Sequence, residues 1–196
     1  MILIKNKFNY LQEVLSNFEI EASAQINSAA RLIAESFRNG SKILTCGNGG
    51  SASDAQHFAA EFVNAFSKTI NRVALPAISL TSDSSVLTSI ANDKNFESVF
   101  SRQVEALGKP GDVLVVFTTS GESKNCLNAL ETAKQLNLKT VSFTQKNKIS
   151  SKVSDVLIEV PSSDTQTIQE CHIVAYHVIA ELVEEILFGG AVWIFL

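Results

Sequence analysis

Apolar positions recur along this chain with two different periods. From about Lys5 to Arg38, Leu11, Val14, Leu15 and Phe18, then Ile26, Ala29, Ala30, Ile33 and Phe37, fall at helical spacing, and Asn39-Gly40 supplies a stop. The pattern predicts one long helix or two. Short β-rich runs follow at Ile43 to Cys46, Ala77 to Leu80, Val113 to Phe117, Thr140 to Thr144 and Val156 to Val160. Helical stretches near Ser53 to Phe66, Phe96 to Leu107 and Ser123 to Gln135 separate them. Strands alternating with helices predict an α/β fold, a three-layer sandwich with a mostly parallel central sheet covered on both faces. The last long pattern, Thr165 to Phe188, has an apolar face broader than a solvated surface helix requires. It is expected to be a central or intersubunit helix.

Composition narrows the class. At 196 residues, 45% hydrophobic and 18% charged, the chain can bury one good core, and a single domain over 1–196 is expected. That domain divides into an N-terminal helical segment at about 5–38 and an α/β core with its C-terminal helix at about 41–188. A net charge of −4 without a Lys/Arg run argues against nucleic acid as a ligand. The first ten residues hold no continuous apolar h-region, so export is not indicated and a cytoplasmic location is expected. Cys46, Cys126 and Cys171 lack C-x-x-C spacing and read as buried thiols in a reducing compartment. After Gly189-Gly190, the apolar tail 191–196 is far shorter than the roughly 20 residues that cross a bilayer. No membrane role follows from it, and no other role is assigned to it.

The chemistry concentrates in two strand-to-helix turns. Cys46-Gly47-Asn48-Gly49-Gly50-Ser51 ends the first apolar run and opens a helix carrying His57 and Glu61, with Ser51 placed to cap it. Thr118-Thr119-Ser120-Gly121-Glu122-Ser123 repeats the design after the third run. Small residues let backbone amides approach a ligand, so two helix starts and several hydroxyls can surround one phosphate. The first turn also satisfies the dinucleotide fingerprint G-x-G-x-x-A. The acid that fingerprint needs about 20 positions on is missing, since Asp83 is displaced well beyond it, and no Gly-Lys-Ser/Thr completes a Walker loop. A phosphorylated small molecule, not a nucleotide, is the expected ligand.

At this point the residues resemble a known family, the sugar isomerase (SIS) domain, and within it the bacterial phosphoheptose isomerases. Gly47-Asn48-Gly49-Gly50-Ser51 with Asp54, His57 and Glu61 occurs in that family's order and spacing. So do Ala91-Asn92-Asp93, Phe100 to Arg102, Gly111-Asp112, Thr119-Ser120-Gly121 with Ser123, and Ile168-Gln169-Glu170 with His172. The resemblance runs from roughly Leu11 to Leu187. It implies isomerisation of sedoheptulose 7-phosphate to glycero-manno-heptose 7-phosphate, an entry to heptose precursors for lipopolysaccharide or related surface glycans. Proton transfer between C1 and C2 through an enediol needs a base and an acid; the matching positions are Glu61 as base and His177 as acid. Asn48, Gly49, Gly50 and Ser51 would line the sugar site with Gln169, Asn92 and Asp93 would contact it, and Thr118, Thr119, Ser120 and Ser123 would hold the phosphate.

The resemblance further implies zinc, bound through His57, Glu61, Gln169 and His177. His57 and Glu61, four apart, share one helix face. Gln169 and His177 stand about 12 Å apart along a regular helix, so both reach one ion only if it lies between them, and Gln is an unusual zinc ligand. A homotetramer with sites at subunit boundaries is also implied, with His177 approaching Glu61 from a neighbouring chain. Residues without an implied role have plainer readings: His172 as structural, Arg102 with Glu105 as a helical ion pair, Asp54 as a brace for the first turn, and Glu122 as an outward-turned charge. The alternative is a noncatalytic SIS protein that binds the bacterial replication initiator. That relative lacks the carboxylate and the final histidine that stand here as Glu61 and His177.

Overall fold

The computed structural model describes residues 2–148 and 154–189; the tail 191–196 lies outside them. The five apolar runs form strands β1 (Ile43–Gly47), β2 (Ala77–Ser79), β3 (Val113–Thr118), β4 (Lys139–Gln145) and β5 (Val156–Val160). They make one sheet of order β2-β1-β3-β4-β5 in which every pairing is parallel. The helices are α1 (Ile2–Arg38), α2 (Gly50–Val63), α3 (Ser84–Asp93), α4 (Ser101–Leu107), α5 (Lys124–Gln135) and α6 (Thr165–Phe188).

Alternation along the strands explains the three layers. Val113, Val115 and Phe117 of β3 point to one face, where they join Ile33 of α1, Phe58 and Phe62 of α2, and Tyr176 and Ile179 of α6 in one buried cluster. Leu114 and Val116 point to the other, with Val104 of α4 and Cys126, Ala129 and Leu130 of α5. Both faces are covered, so β1 and β3 are buried at every position, as in a parallel sheet. Truncating a side chain such as Phe58, with no exposed surface, would cost about 3–5 kcal/mol.

The N-terminal periodicity resolves into a single helix of 37 residues. It packs along α6 and is pinned there by Lys7 to Asp164 (3.2 Å), Tyr10 to Ser162 (3.0 Å) and Arg38 to the Ile186 carbonyl (2.6 Å). Three boundaries differ from the sequence expectation. Helix α2 starts at Gly50, because Gly49 with φ of 57° is the N-cap, so Ser51 lies inside the helix and caps nothing. The stretch 96–107 breaks into a 3-10 turn, Phe96–Ser98, and α4. Helix α3 was not expected; its signal was Asp83, whose carboxylate accepts from the Val86 amide, ahead of Leu87, Ile90 and Ala91 at i, i+3, i+4 spacing. As a helix cap, Asp83 has a role unrelated to a ribose.

Candidate active site

In a parallel sheet of this order the strand connections diverge between β1 and β3, and ligands bind beyond the carboxyl ends of the strands at that switch point. Both small-residue turns stand there: Gly47 at the end of β1 is in register with Phe117 of β3. Gly47 has no room for a side chain, since a Cβ would press on the Ser51 carbonyl and lie 2.9 Å from that of Phe117. In the second turn Gly121, at φ of 65°, reverses the chain.

The two turns form one unit. Asn48 and Asn125 exchange side-chain amide hydrogen bonds of 2.9 and 2.8 Å, and Asn125 Oδ1 also accepts from the Cys126 backbone amide. Thus the Asn48 side chain, expected to face sugar, is committed to the opposite loop. Between the loops lies a recess of about 50 Å³ lined by Asn48, Ser51, Phe117, Thr118, Thr119 and Ser123. Its size suits a compact group; a water's share of liquid volume is about 30 Å³. Thr118 Oγ1 accepts from the Gly121 amide at 3.2 Å, and Ser120 Oγ accepts from the Glu122 amide at 3.2 Å. The N-cap residues of α2 and α5, Gly49 and Ser123, make no side-chain cap hydrogen bond, whereas α3 and α6 are closed by Asp83 and Asp164. The positive end of each helix dipole favours an anion between the loops. Glu122, beside them, is matched by Lys148 at 3.2 Å.

A second cluster sits further along α2. His57 Nε2 donates to Glu61 Oε1 at 2.8 Å, and the His57 ring lies edge-on to that of His177 with centroids 5.0 Å apart. Ligand atoms of His57, Glu61 and His177 all lie within 4.8 Å of one another. One chain supplies all three, which corrects the expectation that His177 reaches Glu61 from a neighbour. Desolvation, with the His57 charge, holds the His177 pKa below its ordinary value against the opposing pull of Glu61, so His177 is a neutral imidazole at pH 7 with an N–H to donate. Two histidines and a glutamate are also a donor set that zinc accepts in catalytic sites.

Several supporting residues escaped the sequence reading. The Tyr176 hydroxyl, fully buried, pairs with His57 Nδ1 at 2.8 Å, fixing that ring while Nε2 faces Glu61. Burial and the Asp54 and Glu61 carboxylates push the phenol pKa up, so it stays protonated. Its only signal in the sequence was its place before His177. Asp54 is buried at the same helix, one oxygen has no hydrogen-bond partner, and burial pushes its pKa up to about 6 despite the lowering influence of His57. Gln169 lies against the first turn: a Cβ on Gly50 would come within 2.5 Å of its Nε2, so the bare glycine lets α6 rest on the loop. Asn92 and Asp93 end α3, exposed, with the Asn92 amide donating to Asp93 at 2.8 Å.

The remaining assignments fall as expected. His172 is completely buried against Phe143 and Phe117, and both ring nitrogens lack partners. Arg102 pairs with Glu105 at 2.7 Å on an exposed face. All three cysteines are free and buried.

Comparison with known proteins finds the same fold. The model of the SIS domain matches residues 8–145. A phosphoheptose isomerase of Thermodesulfovibrio yellowstonii is 47% identical over 187 residues, covering 94% of this chain and 92% of that protein. The corresponding Aquifex aeolicus protein is 47% identical over 186 residues, covering 94% and 96%. Among solved structures, a phosphoheptose isomerase from Neisseria gonorrhoeae superposes with a TM-score of 0.87 at 37% identity, covering 93% of this chain and 97% of that one.

Proposed function

Since the chain belongs to the SIS-domain phosphoheptose isomerase family, we propose that it converts sedoheptulose 7-phosphate to D-glycero-D-manno-heptose 7-phosphate for bacterial heptose and lipopolysaccharide precursors. The observation that carries this reading is the convergence of His57, Glu61 and His177 in a chain whose two switch-point loops stand open to an anion. The Glu61 carboxylate takes the C1 proton of the ketose and returns a proton to C2, while His177 donates to the sugar oxygens as the hydroxyl proton moves from O1 to O2. A neutral imidazole serves here because its N–H polarises a carbonyl oxygen without carrying charge. His57, Glu61 and His177 would hold zinc, which when bound supplies Lewis-acid polarisation of a sugar oxygen, whereas Gln169, the fourth donor that the resemblance implies, lies in this chain against Gly50, seven helix positions from His57. The initiator-binding alternative is disfavoured because both distinguishing residues are present and adjacent.

The test is incubation of purified protein with sedoheptulose 7-phosphate, with arabinose 5-phosphate and fructose 6-phosphate as comparators. The heptose aldose should form selectively; conversion of none of the three would favour a binding protein.

The whole chain is read as a single SIS domain working as a cytoplasmic homotetramer with sites at subunit boundaries. Buried free thiols support the reducing compartment. An open apolar groove between α1 and α6, lined by Leu15, Phe18, Ile26, Val174, Val178 and Leu182, supports association. Geometry along α2 supports a shared site. Ser51 at the recess and Glu61 are ten positions apart, about 15 Å of helix rise. The seven bonds from C2 of the sugar to phosphorus span only about 8 Å at the reach per bond of an extended chain.

Ser120→Ala and Ser123→Ala should each weaken sugar-phosphate binding by about 0.5–3 kcal/mol, the value of a hydrogen bond to a charged group at the upper end. Binding of the unphosphorylated sugar should scarcely change. Mixing the double serine variant with Glu61→Gln under subunit exchange should restore some activity if loop and acid–base pair come from different chains. Mixing Glu61→Gln with His177→Gln should restore none, because one chain supplies both. Equal weakening with and without phosphate would place the phosphate elsewhere.

A further inference from the structure

Glu184 lies seven residues beyond His177 on α6, two helical turns along the same face. Its side chain, 1% exposed, pairs at 2.6 Å with Arg72, whose side chain is completely buried. The contacts around the pair gather the far end of α2 and the segment that follows it. Arg72 donates from Nη2 to the carbonyl of Glu61 at 2.7 Å and from Nη1 to those of Phe62 and Val73 at 2.9 and 3.0 Å. Glu184 accepts from the backbone amides of Phe66 and Ser67, each at 2.9 Å. Phe66 in turn lays its ring 5.7 Å from that of His177.

We infer that Arg72 and Glu184 are positioning residues that clamp the end of α2 to α6 and thereby set the separation of Glu61 from His177. The inference rests on those two as the reacting pair. Two observations carry it. First, the guanidinium holds the main-chain carbonyl of Glu61 itself, with the cationic group placed at the negative end of the helix dipole. Second, the opposite end of the same ion pair stands on the helix that presents His177, and the amides it collects fix the aromatic ring packed on that histidine. A buried ion pair is often replaceable by apolar residues with no loss of stability, so its value here is in the register it imposes. The planar fork of arginine makes that register specific in a way lysine could not.

The test uses the double variant Arg72→Met with Glu184→Leu, which removes both charges at once, and Glu184→Gln as the conservative form. Melting temperature, kcat and KM for sedoheptulose 7-phosphate, and the 15N signals of the His57 and His177 rings are measured. The expected result is a folded protein with KM within about twofold, kcat lowered about tenfold to hundredfold, and displaced histidine signals, since a misplacement near 1 Å costs up to about a hundredfold. Unmoved histidine signals in a folded variant overturn the clamp, whatever happens to kcat. Displaced signals with unchanged kcat uphold the clamp and count instead against Glu61 and His177 as the reacting pair. Should the double variant fail to fold, Glu184→Gln, which keeps the volume and one acceptor, gives the same readouts.

Discussion

Glu61→Gln is expected to lower turnover of sedoheptulose 7-phosphate by about 10²–10⁴-fold, the usual contribution of a positioned general base. An amide keeps the shape and can still accept from His57, which approaches Glu61 at 2.8 Å in the parent protein. It cannot take up a carbon-bound proton. Sugar-phosphate binding should survive, because the recess between the two loops is built from other residues. Calorimetric titration beside steady-state kinetics checks both halves, and near-parental kcat in the variant would remove Glu61 from the role of base. If zinc is bound through the same carboxylate, the variant also lowers metal content, so metal is measured in parallel.

The second large effect separates two histidines of one helix. His177→Gln should lower kcat by about two orders of magnitude, the lower part of the range for acid–base groups, with little change in melting temperature. His172 should behave in the opposite way. Burial pushes its pKa down to about 3, so the folded state excludes the protonated ring. The unfolded chain takes up that proton below about pH 6.5, and unfolding is therefore favoured as acid is added. The stabilising preference for neutral His172 is complete above about pH 6.5 and is lost progressively as pH falls toward 3. His172→Phe should flatten the acid limb of a melting-temperature profile while leaving kcat near its parental value. Asp54 works in the reverse sense: with its pKa raised to about 6, its contribution is complete below 3.8 and is lost as pH rises through 6. An unchanged acid limb in His172→Phe, or matching losses of kcat in two folded histidine variants, would contradict this division.

Much of the architecture was legible because strand burial on both faces leaves continuous apolar runs, and helices leave a different period. All five strands and the span of α6 could be read from those signals. The two loops were legible through chemistry: glycines and hydroxyls at the ends of apolar strands have few other uses. What sequence alone did not reveal depends on contacts between distant segments. Nothing near Tyr176 shows that it meets His57, 119 positions away. Nothing near Arg72 predicts Glu184, and the Asn48–Asn125 exchange spans 77 positions. Ser51 was misjudged as a cap because a serine at a helix start usually is one, whereas the backbone twist at Gly49 moved the start forward. Helix α3 has only partly buried apolar side chains, so its stripe is narrow and was overlooked against the stronger neighbours.

The packing of α1 along α6 sets a condition on biosynthesis. Helix α1 leaves the ribosome well over a hundred residues before its partner α6, which it meets through contacts such as Lys7 with Asp164 and Arg38 with Ile186. Until α6 emerges, the apolar stripe of α1 lacks that cover, and Glu61 waits without His177. A nascent chain interrupted before α6 therefore has neither a closed core nor the Glu61–His177 pair. Emergence of α6 and closure of the core are one step for this topology, and products ended before it are exposed to chaperones and proteases as unfinished proteins, not tolerated as partly active ones.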